Sequence, residues 1–576
     1  MSMDTLKKRI RIAAGKQPAD LVIKNARIVN VFTHEIQEGD IAVSDGMIAA
    51  IGKYNGIREV DAGGLYAIPG LIDSHIHVES SFLTPEEFGR IVVPRGTTTT
   101  ISDPHEIVNV RGMEALKYML KAAENTLLDI RYVVPSCVPA TQWEDSGAVL
   151  DAETMREALH LPGVMGVGEF MNGYGVINEE EDVLAKLVMA EEEGALVDGH
   201  APGLMGKALA GYMAAGIIND HECGSLEEMK LRLENGMYVQ LRYGSACREL
   251  PLLLKGVTPE NARRCILCSD DRQPLMLLED GHMDDSLRVC VENGIDPITA
   301  IQMATLNTAE CYGLRDRGAI APARRADIAL VRDLKDFHVE KVWICGELAA
   351  ENGRYLPEIH VADPGAMNDT MHVKPFTKEQ ITLRLTSDHV RVIDTYPGTV
   401  LSEEGDAFIR RTPDGVFSFD PALDVAQISV IERHHCTGNM ANALIRGYGI
   451  KHGAIAISMA HDSHNIITVG VNADEIYHAV QELIAQRGGI VLVRDGKVLE
   501  RLPLPVAGLM SDRPAEEVRD AFDRIHSTAW DVLEINPAIE PVMTLVFMSL
   551  PVIPDLKITD RGLFNVNRQK FVTVER

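Results

Sequence analysis

A chain of 576 residues with 46% hydrophobic content has room for two or three domains with buried cores. Lys and Arg total 56 against 84 Asp and Glu, a formal net charge of −28. That balance argues against a nucleic-acid or anionic-membrane partner, since both need basic surface.

The opening MSMDTLKKRIRIAAGK is basic but lacks the apolar stretch of a secretory leader, and no uninterrupted apolar run is long enough to span a bilayer. The nine cysteines are scattered and odd in number, so a reducing, cytoplasmic location is expected. Residues 19–68 alternate β-branched residues with Gly and Asp breaks, the pattern of short antiparallel strands. The same texture returns at 318–350, which predicts that 1–68 and 316–365 pair into one small, split β-sandwich domain.

Between them, residues 69–315 alternate strand and helix. Apolar runs fall at 65–73, 97–102, 131–138, 163–169, 195–199, 216–219, 237–241 and 264–268. Helix periods separate them: Leu116, Met119, Leu120 and Ala123; Leu204, Ala208 and Tyr212; Leu226, Met229 and Leu233. Eight such repeats in this length predict an α/β fold, a metal-dependent, TIM-like (β/α)8 barrel. Cys265 and Cys268 lie three apart in the last run, point to opposite faces of a strand, and read as core residues rather than a metal pair. Residues 375–576 mix strands and helices and predict a separate C-terminal α+β domain.

Chemistry concentrates where the apolar runs end. PGLIDSHIHVES places His75 and His77 two apart, on one face of a strand. Other runs end at Glu169, His200, His221 and Asp270. The steps between these residues are 94, 31, 21 and 49 residues. With roughly 20–35 residues per β-α unit, they correspond to strands 1, 4, 5, 6 and 8 of a barrel, whose functional groups sit on the C-terminal strand ends. Six imidazole and carboxylate ligands suit two metal ions, with Glu169 able to bridge them, and suit Zn, Fe or Mn. Such a pair supplies a hydroxide at neutral pH.

His105 and Glu106 follow the second run, in SDPHEI. They read either as a helix start capped by Asp103, with Pro104 in the first turn, or as site residues with Glu106 moving a proton. Asp270 is the other candidate proton carrier, and Asp271 lies next to it. The segments HHCTGNMANALIRGYGIKHG and AHDSHN hold His434, His435, His452, His461 and His464. They read either as a hydrogen-bonded polar core or as a loop closing the barrel mouth.

The strings PGLIDSHIHVESS, SDPHEI, GEFMN, DGHAPG, NDHE, SDDR and AISMAHDSHNIITVG resemble those of bacterial adenine deaminases, within the amidohydrolase superfamily. The resemblance covers the whole chain. It implies hydrolysis of adenine to hypoxanthine and ammonia at a binuclear centre of two Mn or Fe ions, with adenine and water as substrates and homo-oligomers as the assembly. It carries over the ligands His75, His77, Glu169, His200, His221 and Asp270, with Glu106 and Asp270 as catalytic candidates. His105, Asp271, His461 and His464 become candidate substrate or lid residues. An amidohydrolase acting on a cyclic amide or N-acetyl group is the alternative. Gly203 stands where related adenosine-type enzymes have a Glu, and Glu169 stands where hydantoinases have a lysine.

Overall fold

The structure is a computed structural model describing residues 2–576. Its centre is a ring of eight parallel strands. The first five, Leu71–Ile76, Thr97–Ser102, Asp129–Val134, Val164–Phe170 and Leu196–Gly199, form one hydrogen-bonded sheet. The last three, Asn219–Asp220, Tyr238–Arg242 and Cys265–Cys268, form another. Two seams close the ring. Ile218 N donates to Val197 O at 3.2 Å on one side. On the other, Asp270 N donates to His75 O at 2.9 Å and His77 N to Asp270 O at 3.1 Å. Cys265 and Cys268 are buried and unpaired, as expected of core residues.

The predicted run 65–73 is two strands. Tyr66–Pro69 belongs to an outer sheet and Leu71–Ile76 to the barrel. Gly70 makes the switch possible, because a Cβ there would stand 2.2 Å from Thr98 Oγ1. The expected cut after residue 68 therefore falls inside a strand. Boundaries shift elsewhere too. The run 216–219 shrinks to the two-residue strand Asn219–Asp220, and Leu204 lies ahead of helix Gly206–Ala214.

The flanking stretches do join, into one nine-stranded sheet. It folds over a core that includes Leu21, Ile41, Ile328 and Trp343. Its pairing is mixed rather than purely antiparallel: strand Ala19–Asn30 runs parallel to Gly56–Asp61 and to Tyr66–Pro69. Helix Met3–Ala13, absent from the sequence reading, packs Ile12 against Ala19, Val22 and Ala42.

The C-terminal region is built on an eight-stranded sheet, with helix Ala473–Ala485 burying Ile476, Ala479, Val480 and Leu483 against it. It does not stand apart from the barrel as expected. One apolar core runs through both, with Phe82 edge-on to Phe522 at 5.3 Å. Polar seams reinforce the contact. Ser511 N donates to Phe82 O at 2.8 Å, Ala515 N to Glu87 Oε1 at 2.7 Å, and Asn465 Nδ2 to Asp145 O at 2.8 Å. Apolar residues covering the barrel mouth have no reason to leave water exposed, so the packing that buries them also sets the second half of the site.

Candidate metal centre and active site

All six predicted ligands meet at the C-terminal end of the ring, and all are buried. His75 and His77 project together from strand Leu71–Ile76 and its end, their Nε2 atoms 3.2 Å apart. His77 Nε2 is 3.2 Å from both Glu169 Oε1 and Asp270 Oδ1, and His75 Nε2 is 3.6 Å from Asp270 Oδ1. The other oxygen of Glu169 faces a second group. Its Oε2 is 2.6 Å from His200 Nδ1 and 3.3 Å from His221 Nε2, and those two nitrogens are 3.4 Å apart. Glu169 thus stands between two clusters with one oxygen toward each. Converging imidazoles and carboxylates with no thiolate make this a divalent-metal site.

The surroundings aim these donors. His77 Nδ1 is 2.9 Å from Asp103 O, which leaves Nε2 for the site. Asp103 does not cap the helix His105–Ala123, as the sequence suggested. Its Oδ2 instead accepts from Glu169 N at 2.9 Å, and Pro104 occupies the cap position. Only glycine fits at residue 168, where a Cβ would meet Asp103 Oδ2 at 2.0 Å.

Burial works against charge on Glu169 and Asp270, yet both are held well below the usual carboxylate range. His200 and hydrogen bonds from His105 and His200 do this for Glu169; hydrogen bonds from His75 and His77, with the Arg242 charge, do it for Asp270. Burial also lowers His77 and His221, but their carboxylate neighbours win and push both well above the usual imidazole range. A cation held by these residues would take the place of those protons.

Three contributors escaped the sequence reading. Arg242, at the end of strand Tyr238–Arg242, is buried, donates to Asp270 Oδ2 at 2.9 Å and also pairs with Glu222. Glu222 Oε1 lies 3.4 Å from His221 Nε2. Its place beside a strand-end histidine was a signal that could have been used. Arg242 ends a strand too, but a cation there carries no ligand signature. The third, Glu79, lies just past His77.

A second cluster adjoins the first. His105 spans the two, with Nδ1 3.3 Å from Glu169 Oε1 and Nε2 3.1 Å from Glu106 Oε1. Glu106 is therefore more than part of a helix start. His461 Nδ1 comes within 2.7 Å of its Oε1, and His464 Nε2 contacts its Oε2. Ala460 N donates to His464 Nδ1 at 3.1 Å, so the ring hydrogen of neutral His464 sits on Nε2, facing Glu106. Burial disfavours a charged Glu106, but His461, His105 and His464 hold it well below the usual range. Burial lowers His461 too; Glu106 outweighs it and raises the imidazole to about 9.

His461 and His464 thus reach Glu106 from a loop of the C-terminal region. Buried Arg433 fixes their segment by donating to His464 O, and to Thr370 O at 3.1 Å and Ala507 O at 3.0 Å. His434 and His435 serve the same junction, with ring nitrogens 2.7 Å from Ser463 O and 2.8 Å from Ser146 O. His452 takes no part and pairs with Glu534 at 3.3 Å. Asp271 is buried at the rim, where Ser80 Oγ donates to it.

The amidohydrolase family model matches residues 66–349, and the adenine deaminase C-terminal domain model matches residues 402–570. Adenine deaminase 2 of Desulfotalea psychrophila is 52% identical over 575 residues, covering 100% of both chains. The chain belongs to the adenine deaminase family. The adenine deaminase of Ligilactobacillus salivarius is 50% identical over 576 residues, again 100% of both, and that of Nitratidesulfovibrio vulgaris 48% over 566 residues, 98% of each. His461 and His464, two of the three histidines on Glu106, lie inside the segment matched by the adenine deaminase C-terminal model, so the part of the chain that marks this family supplies one side of the second cluster.

Proposed function

We propose that this enzyme hydrolyses adenine to hypoxanthine and ammonia, using two Mn or Fe ions per chain held by His75, His77, Glu169, His200, His221 and Asp270. The observation that carries this reading is the continuity of the two clusters: His105 links the bridging carboxylate Glu169 to Glu106, and the family's C-terminal domain holds Glu106 from the other side. When bound, the metal pair lowers the pKa of water and so supplies a nucleophile at neutral pH for carbon 6 of the purine.

The chain's own residues manage the protons. Asp270 is ionised, with Oδ2 committed to Arg242 and Oδ1 turned to the centre, and it takes the proton released from water. A ring nitrogen gains one as the carbon–oxygen bond forms; the departing amine gains a second, given up by the new hydroxyl as it becomes the carbonyl, and the proton left on Asp270 finally restores the one spent at the ring. Glu106 is the carrier on that side. Ionised at rest, it draws its proton from His461, which holds one at neutral pH. His464 steadies the other carboxylate oxygen, and buried walls keep bulk water away from both acids. Water adds across carbon 6 and ammonia leaves, so no redox partner is needed.

The test is a hydrolysis assay on Mn-loaded protein, read by ammonia release for adenine and by chromatography of the products for a cyclic amide and an N-acetyl compound, whose hydrolysis frees no ammonia. Turnover of adenine alone is expected. Turnover confined to either of the others would replace this reading with a different amidohydrolase activity.

A further inference from the structure

Beside Glu106 lies a small cavity shared by the two halves of the molecule. Phe82 from the barrel side, with Met459, Leu509, Met543 and Val546 from the C-terminal side, make its walls apolar. Its free volume is about 20 Å³, the room of a single water, so a flat ring enters only as the two unbranched methionines give way. Polar groups enter at one edge: Glu79, Ser80, Glu106, His461 and His464. Glu106 is already engaged by three imidazoles, as described above, and Ser80 Oγ is spent on Asp271.

Glu79 is different. It sits in the single turn Val78–Ser81 directly after His77 and is 2% exposed. Its Oε1 accepts from Ile107 N at 3.2 Å, in the first turn of the helix that carries Glu106. Its Oε2 is buried with no partner. An unmatched carboxyl oxygen in an apolar surround is costly, and a ligand N–H would relieve that cost. A free purine base has apolar faces and, as a neutral molecule, one ring N–H, on its five-membered half. An N9-substituted base such as a nucleoside has lost it.

We propose that Glu79 is the residue that recognises the unsubstituted purine, its free oxygen accepting the ring N–H. The assignment rests on the proposed adenine hydrolysis for its choice of ligand. It makes selection of free base over nucleoside a matter of one hydrogen bond as well as of space. Lining a site with an acceptor penalises any analogue that leaves the acceptor bare, the strongest form of discrimination a pocket has.

The test uses the Mn-loaded full chain and two bases that cannot lose an amine, 6-methylpurine and its 9-methyl derivative, with binding read by calorimetry. The native protein is expected to prefer 6-methylpurine by about tenfold or more, the scale of a buried acceptor left bare. Glu79→Gln keeps a carbonyl for Ile107 N but turns an amide donor toward the ring, so the preference should collapse toward unity with metal content unchanged. Glu79→Asp keeps the carboxyl and withdraws the oxygen; it should weaken 6-methylpurine while leaving the derivative alone. Equal weakening of both ligands in the two variants, together with a lower unfolding midpoint, would mean that Glu79 only holds the helix, and the assignment would fall. An unchanged preference in Glu79→Gln would overturn it as well. Ammonia release from adenine by the native protein is recorded alongside. A native protein that discriminates the two bases yet releases no ammonia leaves Glu79 in place and removes the deaminase reading instead.

Discussion

The two buried clusters of this molecule use the same side chains to opposite ends. In the barrel cluster, one carboxylate, Glu169, spreads its two oxygens over separate sets of imidazoles, which leaves room between donors for cations. In the adjoining cluster, three imidazoles close on one carboxylate, Glu106. Residue type alone does not separate the two; both are groups of buried histidines and acids. What separates them is which atoms share which partner, and where the elements come from. The first cluster is assembled by one barrel. The second needs the C-terminal segment around His461, fixed by Arg433, to reach a helix start on the barrel.

The contrast can be broken in steps. The largest effect is expected at Glu169. Glu169→Gln removes the shared charge, and metal analysis should show loss of at least one ion per chain, with turnover lower by about 10³-fold or more. Retention of both ions with near-native turnover would end the bridging role. Glu106→Gln should come next, lowering turnover by about 10²-fold or more, the usual size for a lost acid–base group, while both ions stay bound. Loss of metal in that variant would move Glu106 into the ligand set and erase the distinction between the clusters.

His461→Asn should act more weakly, by about tenfold in turnover with little change in KM. It also sharpens the comparison through pH. Imidazoles hold Glu106 below the usual carboxylate range, so removing one lets its pKa rise. Without His461, Glu106 must itself hold the proton, so activity is kept below its pKa and lost above it, and the basic limb of the pH–rate profile, set in the native protein by His461 at about 9, should move to lower pH. A profile that drops uniformly without moving would make His461 a packing residue. The smallest effect belongs to His452→Ala. This histidine shares the same His-rich stretch but pairs with exposed Glu534, and turnover should be unchanged within error.

The six candidate ligands at the barrel mouth were legible because each is marked by its own local pattern. An apolar run followed by a histidine or acid marks a strand end, and a parallel barrel places all strand ends on one side. His75 and His77 add the two-residue period of a strand face, and the C-terminal helices and central strands were equally visible as periodic segments. The misreadings have a common cause. Asp103 looked like a cap because its neighbours fit a helix start, but the carboxylate found a backbone donor on another strand. The run 65–73 looked continuous because apolar periodicity says nothing about which sheet a residue joins; the crowding of Gly70 against Thr98 decides that.

The sequence by itself determined the eight-strand alternation, and it named the six candidate metal donors in their order around the ring. These depend on spacing and side-chain type, which a single segment carries within itself. Only the tertiary structure decided that Glu106 is gripped by His461 and His464, that Arg242 neutralises Asp270, and that Glu79 keeps a bare oxygen beside an apolar cavity. Each of these is a hydrogen-bond partnership between distant segments. Its existence, or its absence, is set by how the C-terminal region packs on the barrel, and no local period encodes that packing.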